Sequence, residues 1–127
     1  MNYLRKIKLL NRKKTDPNKF IFTGDDQDKI SKVQLYQYSA EGFDELNNLT
    51  LSNFDHQLLK KPISWLNIFG LSNTTDIVSF CQRQKIDNLV IQDILDVNQR
   101  PKFQAYDNYN FLTIKSTVPS DKLLEVE

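Results

Sequence analysis

The chain has 127 residues, of which 39% are hydrophobic and 26% charged, and this composition is typical of one globular domain with a real core. Its net charge of +1 gives the whole molecule no strong attraction for nucleic acid. One cysteine, Cys81, and one histidine, His56, exclude an internal disulfide and a Cys/His zinc site.

Basic charge is concentrated near residue 1. Six of the 17 basic side chains precede the first acidic residue, Asp16: Arg5, Lys6, Lys8, Arg12, Lys13 and Lys14. The rest of the chain therefore carries a net negative charge. Residues 1–18 are therefore predicted to form a basic lead that Pro17 closes. Two interpretations stay open for this lead, a mobile tail or a contact with a membrane surface or partner.

Two β-strands are predicted after the lead. Residues 20–23 form a short apolar run that favours β structure, and Gly24 begins a turn. Residues 32–38 place Val33 and Leu35 on one face at a period of two, which predicts a half-buried strand. We expect these two strands to pair antiparallel across a connection of about eight residues.

The middle of the chain predicts two short helices and an interior strand. Ser39 is a candidate cap for a helix over 39–46, and a second helix over 52–61 carries lysines at its C-terminal end. Residues 63–70 are almost continuously apolar or aromatic, which predicts a strand covered on both faces.

Two helices and a hairpin are predicted next. A helix over 75–84 carries Cys81 on its apolar face, so we expect Cys81 to be a core residue and not a nucleophile. A second helix begins at residue 87 or 88 and is stopped by Pro101. Strands over 103–106 and 109–115 then form a tight hairpin.

The second of these helices has an apolar side and a polar side. On a helical wheel, Leu89 is the one apolar residue that falls outside the apolar side. The residues on that side are Val90, Ile91, Ile94, Leu95 and Val97. The wheel presents Gln92, Asp93 and Asp96 on the opposite side.

Strands mixed with helices predict an α/β (α+β) fold in which a mixed sheet is flanked by helices. One domain is expected over residues 19–127, and no run of about 18 apolar residues is present to span a bilayer. The C-terminal residues carry no stop signal, so we expect the chain to continue and its sheet to be incomplete here. The strand over 109–116 would then expose an edge that invites dimers.

The residues do not assemble into a recognisable catalytic centre. Three glycines cannot build a phosphate-binding loop, and no Ser-His-Asp or Cys-His arrangement is present, so an enzyme is not expected. Asp93 and Asp96 are three residues apart, a spacing that could form half of a Mg²⁺ site. The alternative is a solvated acidic face with Arg100 or Lys102 nearby.

Four segments in this order resemble the N-terminal cytoplasmic domain of CorA-type magnesium and cobalt transporters. They are WLNIFGL at 65–71, LVIQDIL at 89–95, NQRPK at 98–102 and YDNYNF at 106–111. No single segment is diagnostic, but the ordered set over about 52 residues is specific, and weaker similarity covers 19–63.

The resemblance implies a Mg²⁺-sensing regulatory domain on the cytoplasmic side of the plasma membrane that gates a pentameric Mg²⁺ and Co²⁺ channel. A stalk helix and two membrane helices would follow this chain. The regulatory aspartate of the family matches Asp93, which would bind Mg²⁺ at a subunit interface together with an acidic residue of the neighbouring subunit.

This sequence departs from the family pattern at Gln92, where an acidic residue is usual. An amide offers a carbonyl oxygen without charge, so a second cation site is expected to be weak or absent, with Asp96 as a candidate replacement. Two other functions remain open: the corresponding domain of a CorA-like zinc transporter, and a nucleic-acid-binding module that uses the basic arm 1–14. Nucleic acid is the less expected partner, because positive charge is confined to that arm.

Overall fold

The computed structural model describes residues 16, 18–25, 31–54, 56–118 and 125–126. The basic arm 1–14 lies outside these residues. The described elements are, in order, β1 (Lys32–Ser39), β2 (Gly42–Leu49), a 3₁₀ turn (His56–Leu58), β3 (Ile63–Phe69), α1 (Thr74–Arg83), α2 (Asn88–Leu95), β4 (Lys102–Ala105), β5 (Asn110–Thr113), β6 (Thr117–Val118) and β7 (Glu125–Val126).

A three-stranded sheet has β1 at its centre, with β2 on one side and β3 on the other, and both pairings are antiparallel. The predicted strand at 32–38 is therefore confirmed. Leu35 lies opposite Leu46 on β2 and opposite Leu66 on β3. Val33, Leu35 and Gln37 are buried, as the period-two alternation requires of one face of a strand.

The helix predicted over 39–46 is wrong, because this segment turns and becomes β2. Ser39 Oγ accepts a hydrogen bond from the Glu41 backbone N–H at 3.3 Å. The Ser39 side chain therefore stabilises a turn and does not cap a helix. Gly42 follows with φ of 140°, a backbone angle that residues other than glycine rarely adopt. Pairing along the whole of β1 outweighs the local helix signal.

The second predicted helix, over 52–61, is reduced to a single 3₁₀ turn at His56–Leu58. The predicted strand at 20–23 is also wrong, since these residues have no strand pairing. The partners of β1 are β2 and β3, so the predicted pairing of 20–23 with 32–38 does not occur. A two-residue turn brings β2 beside β1 at a lower entropic cost than the longer connection would require.

The strand predicted over 63–70 is present as β3, but it is not an interior strand among the described residues. It lies at the edge of the three-stranded sheet. Trp65 is 63% exposed, and Ile63 and Phe69 on the same face are also exposed. The predicted burial of both faces is therefore wrong, because among the residues of β3 only Leu66 and Ile68 pack against the core.

The core forms where α1 and α2 pack together with Val33 at the start of β1. Its buried members are Val33, Leu51, Ile77, Phe80, Cys81, Ile91 and Leu95. The helix predicted at 75–84 is confirmed as α1, and Asn73 caps it by accepting from the Asp76 backbone N–H at 3.4 Å. Cys81 is buried as predicted, and this burial raises the pKa of its thiol.

The predicted class, an α/β (α+β) fold of sheet and helices, is confirmed. The predicted hairpin is present as β4 and β5, and all strand pairings among the described residues are antiparallel.

None of the helices in the described part of the chain is both long and apolar enough to cross a membrane.

Candidate functional site

The candidate site is built on α2, whose apolar side is buried in the core. Val90, Ile91 and Leu95 are buried, and Leu89 is 65% exposed, as its misfit position on the wheel predicts. The helix ends at Leu95, several residues before Pro101, so the proline is not what stops it.

A turn after Leu95 ends the helix. Asp96 is extended, and the backbone N–H of Gln99 donates to its carbonyl oxygen at 3.1 Å. Val97 therefore lies outside the helix and is 49% exposed, which makes its predicted place on the buried side wrong. Asp96 likewise does not share a helical face with Asp93, because the helical geometry stops before it.

Asp93 is paired with a cation from its own chain. Lys102 Nζ donates to Asp93 Oδ2, and the two side chains are 29% and 23% exposed. The ammonium group also lies 5.4 Å from the centre of the Phe111 ring. Asp93 thus occupies a partly solvated position where its negative charge is already balanced.

The hairpin β4–β5 delivers Lys102 to this position. Lys102 is the cross-strand partner of Thr113, so the two side chains lie on the same face of the hairpin. Thr113 Oγ1 is buried and has no hydrogen-bond partner.

A second contact holds the hairpin to the start of α2. Tyr109 OH donates to Asp87 Oδ2 at 2.6 Å and accepts from the Asp87 backbone N–H at 3.2 Å. Burial, followed by the hydrogen bond to Asp87, raises the pKa of Tyr109. Tyr106 stacks on Tyr109 with ring centres 4.7 Å apart. The hairpin is therefore fixed to α2 both at Asp87 and at Asp93.

Gln92 is used inside the chain. Its Nε2 donates to the carbonyl oxygens of Asp16 and Lys19, at 3.0 and 3.2 Å. The amide thereby holds the segment 18–23 along α2, a structural role that the sequence did not reveal.

Asp96 is also engaged by neutral donors. Its Oδ1 accepts from Thr23 Oγ1 at 3.0 Å and from the Asn98 backbone N–H at 3.1 Å, while its Oδ2 accepts from Gln99 Nε2 at 3.1 Å. The structure therefore brings Asp93 together with Lys102. It brings Gln92 and Asp96 together with the N-terminal segment, which comprises Asp16 and residues 18–23. Lys102 and Thr23 take part in these contacts. The only sequence signal for either was the presence of the basic residues Arg100 and Lys102 in NQRPK.

The donor set at Asp93 fits half of a Mg²⁺ site. Mg²⁺ prefers oxygen ligands and is commonly held by one or two carboxylates with several retained waters. Asp93 supplies one partly exposed carboxylate, and no group of three or more His, Cys, Asp or Glu side chains placed to hold a metal occurs in the described part of the chain. A complete site therefore requires ligands from elsewhere.

Comparison with known proteins identifies a relative that aligns with nearly the whole chain. The chain is 28% identical over 120 residues to the cobalt/magnesium transport protein CorA of Thermotoga maritima. The alignment covers 94% of this chain and 34% of that protein, so the chain spans about a third of the relative's length. No model of a known protein family matches the sequence. The similarity supports a relationship between this chain and the CorA family.

Proposed function

We propose that this chain is part of the cytoplasmic, Mg²⁺-sensing regulatory domain of a CorA-like Mg²⁺ and Co²⁺ transporter. It is non-catalytic and gates a pentameric membrane channel whose stalk and membrane helices lie outside the chain. The observation that carries this proposal is the alignment with CorA, which extends over 94% of the chain and so includes both α2 and the hairpin.

The position of Asp93 supports a regulatory cation site. Its carboxylate is partly exposed at the surface of α2, beside a hairpin that is attached to both ends of the helix. A divalent cation bridging Asp93 to a carboxylate of a neighbouring subunit would neutralise two like charges and stabilise the closed ring. Loss of the cation would leave repelling faces and shift the population towards the open state.

A single regulatory site is proposed for each interface. Gln92 and Asp96 were candidate ligands for a second cation, but both side chains are hydrogen-bonded to residues of the N-terminal segment. Recruiting them would break those contacts, and Gln92 would bring no charge. Asp93 is therefore the residue on which the proposed function depends.

The test uses the full-length protein in membranes or detergent. Asp93→Ala removes the carboxylate and is expected to raise the Mg²⁺ concentration that protects the protein from limited proteolysis by about 10- to 100-fold, since an interaction with a charged group contributes about 1.5–3 kcal/mol. The readout is the midpoint of protection in a Mg²⁺ titration, with Co²⁺ titrated in parallel.

Asp44→Ala is the matched control. Asp44 also pairs with a lysine, with Lys61 Nζ at 3.1 Å, but it lies on β2 away from the candidate site. Its removal changes the net charge equally and should leave the midpoint unchanged. An unchanged midpoint in Asp93→Ala, or equal shifts in both variants, would contradict the proposed function.

A further inference from the structure

Lys102 contacts the carboxylate on which the proposed cation site is centred. The contact joins Lys102 Nζ directly to Asp93 Oδ2, and both side chains are less than one third exposed. Phe111 supports the ammonium group from the hairpin at 5.4 Å. The ion pair is thus a defined contact between β4 and α2.

An ammonium group and a divalent cation cannot share one carboxylate oxygen without strong repulsion. Binding of Mg²⁺ to Asp93 Oδ2 therefore displaces Lys102, and binding to Oδ1 places the metal ion beside the positively charged ammonium group. In both cases the ion pair weakens cation binding. The long, flexible lysine side chain can move into water without unfolding of the hairpin, which Tyr109 still attaches to Asp87.

We propose that Lys102 is an internal competitor for the divalent cation at Asp93, which raises the cation concentration at which the site fills. This inference rests on the proposed function of Asp93 and adds its regulation. Filling of the site exchanges the ammonium group for the metal ion. It also releases one of the two described contacts between the hairpin and α2, so the hairpin senses the occupancy of Asp93.

The experiment measures cation binding to the 127-residue chain by NMR. Lys102→Met keeps an unbranched side chain of similar length against Phe111 and removes the charge. Mg²⁺ is titrated against the ¹⁵N-labelled chain, and Mn²⁺, a paramagnetic ion with the same preference for oxygen ligands, locates the site by line broadening around residue 93. We expect Lys102→Met to lower the Kd for Mg²⁺ by about two- to fivefold, the range that one partly exposed ion pair supplies.

Lys61→Met is the matched control, because it also removes one lysine from a pair with an aspartate. It should change the Kd by less than about 1.5-fold, since its charge is remote and screened. Asp93→Asn in the Lys102→Met background should abolish the gain. A second expected result is that Mg²⁺ shifts the amide signals of β4 in the wild-type chain and leaves them nearly unchanged in Lys102→Met.

Equal Kd values for the wild-type chain and Lys102→Met would overturn the proposal, and so would an equal gain in Lys61→Met or Mn²⁺ broadening remote from residue 93. These outcomes are distinct from a failure of the proposed function. If Asp93→Ala leaves the proteolysis midpoint of the full-length protein unchanged while Lys102→Met still binds Mg²⁺ more tightly, the competition stands and the gating role of Asp93 fails.

Discussion

Gln37 shows how one polar side chain organises the loop before β3. It is only 2% exposed on the central strand, and its Nε2 donates to the Leu58 carbonyl oxygen at 2.9 Å. Its Oε1 accepts from the backbone N–H groups of Lys60 and Lys61, at 2.6 and 3.2 Å. These three bonds satisfy backbone groups of a segment that forms little regular structure of its own.

We predict that Gln37→Ala lowers the free energy of unfolding by about 2–4 kcal/mol, because it leaves a small cavity and several partly buried backbone groups without partners. Gln34→Ala is the control on the same strand. Gln34 bonds to Asn47 in an exposed position, and its loss should cost less than about 1 kcal/mol. Urea unfolding monitored by Trp65 fluorescence measures both, and equal losses would show that the buried network contributes nothing extra.

The three polar side chains predicted on α2 differ in their surroundings, although the helical wheel treated them alike. Asp93 faces a lysine, whereas Gln92 and Asp96 bind neutral groups of the N-terminal segment. The wheel correctly identified which side of the helix is polar because burial follows helical periodicity. It contains no information on which distant segment covers that side.

At the scale of elements, the segment 18–23 contributes to the end of α2 and not to a sheet. The Thr23 backbone N–H donates to the Leu95 carbonyl oxygen at 3.1 Å, one of the carbonyls that a helix end leaves without an internal partner. Thr23 Oγ1 donates to Asp96 and accepts from the Val97 backbone N–H at 3.0 Å. This segment therefore caps α2 from a distance of about 70 residues in sequence.

We predict that Thr23→Val, which keeps the shape of the side chain but removes both hydroxyl bonds, destabilises the chain by about 1–2 kcal/mol. Amide exchange of residues in the last turn of α2 should accelerate, because its cap is weakened. Thr50→Val removes a single exposed hydroxyl contact with Ser52 and serves as the control. Unchanged exchange in Thr23→Val would show that the backbone bond to Leu95 suffices.

At the scale of the whole molecule, the proposed cation site draws one carboxylate, that of Asp93, from the described residues. Among the described residues, Asp93 is the only predicted metal ligand that pairs with a positively charged side chain, that of Lys102. We therefore predict that the 127-residue chain binds Mg²⁺ with a Kd on the order of 1 mM or weaker. Calorimetry measures it, and tight stoichiometric binding at micromolar concentrations would contradict both the incomplete donor set and the competition by Lys102.

Assembly belongs to the same scale and stays a prediction. The sequence predicts an exposed edge at 109–116, and β5 pairs with β4 alone in the described residues. β3 also lies at the edge of its sheet, with Trp65 exposed. Pentamer formation is proposed for the full-length protein only, because the chain spans about a third of the CorA protein to which it is similar.

The sequence by itself determined the class of the fold, β1, β3, both helices, the hairpin and the polar side of α2. These features follow from periodicity and from turn and cap residues, which act over a few neighbouring positions. Only the tertiary structure decided that 42–49 is a strand, that 18–23 caps α2, and that Lys102 balances Asp93. Each depends on contacts with other segments, whose free energies exceed the local preferences from which a sequence is interpreted.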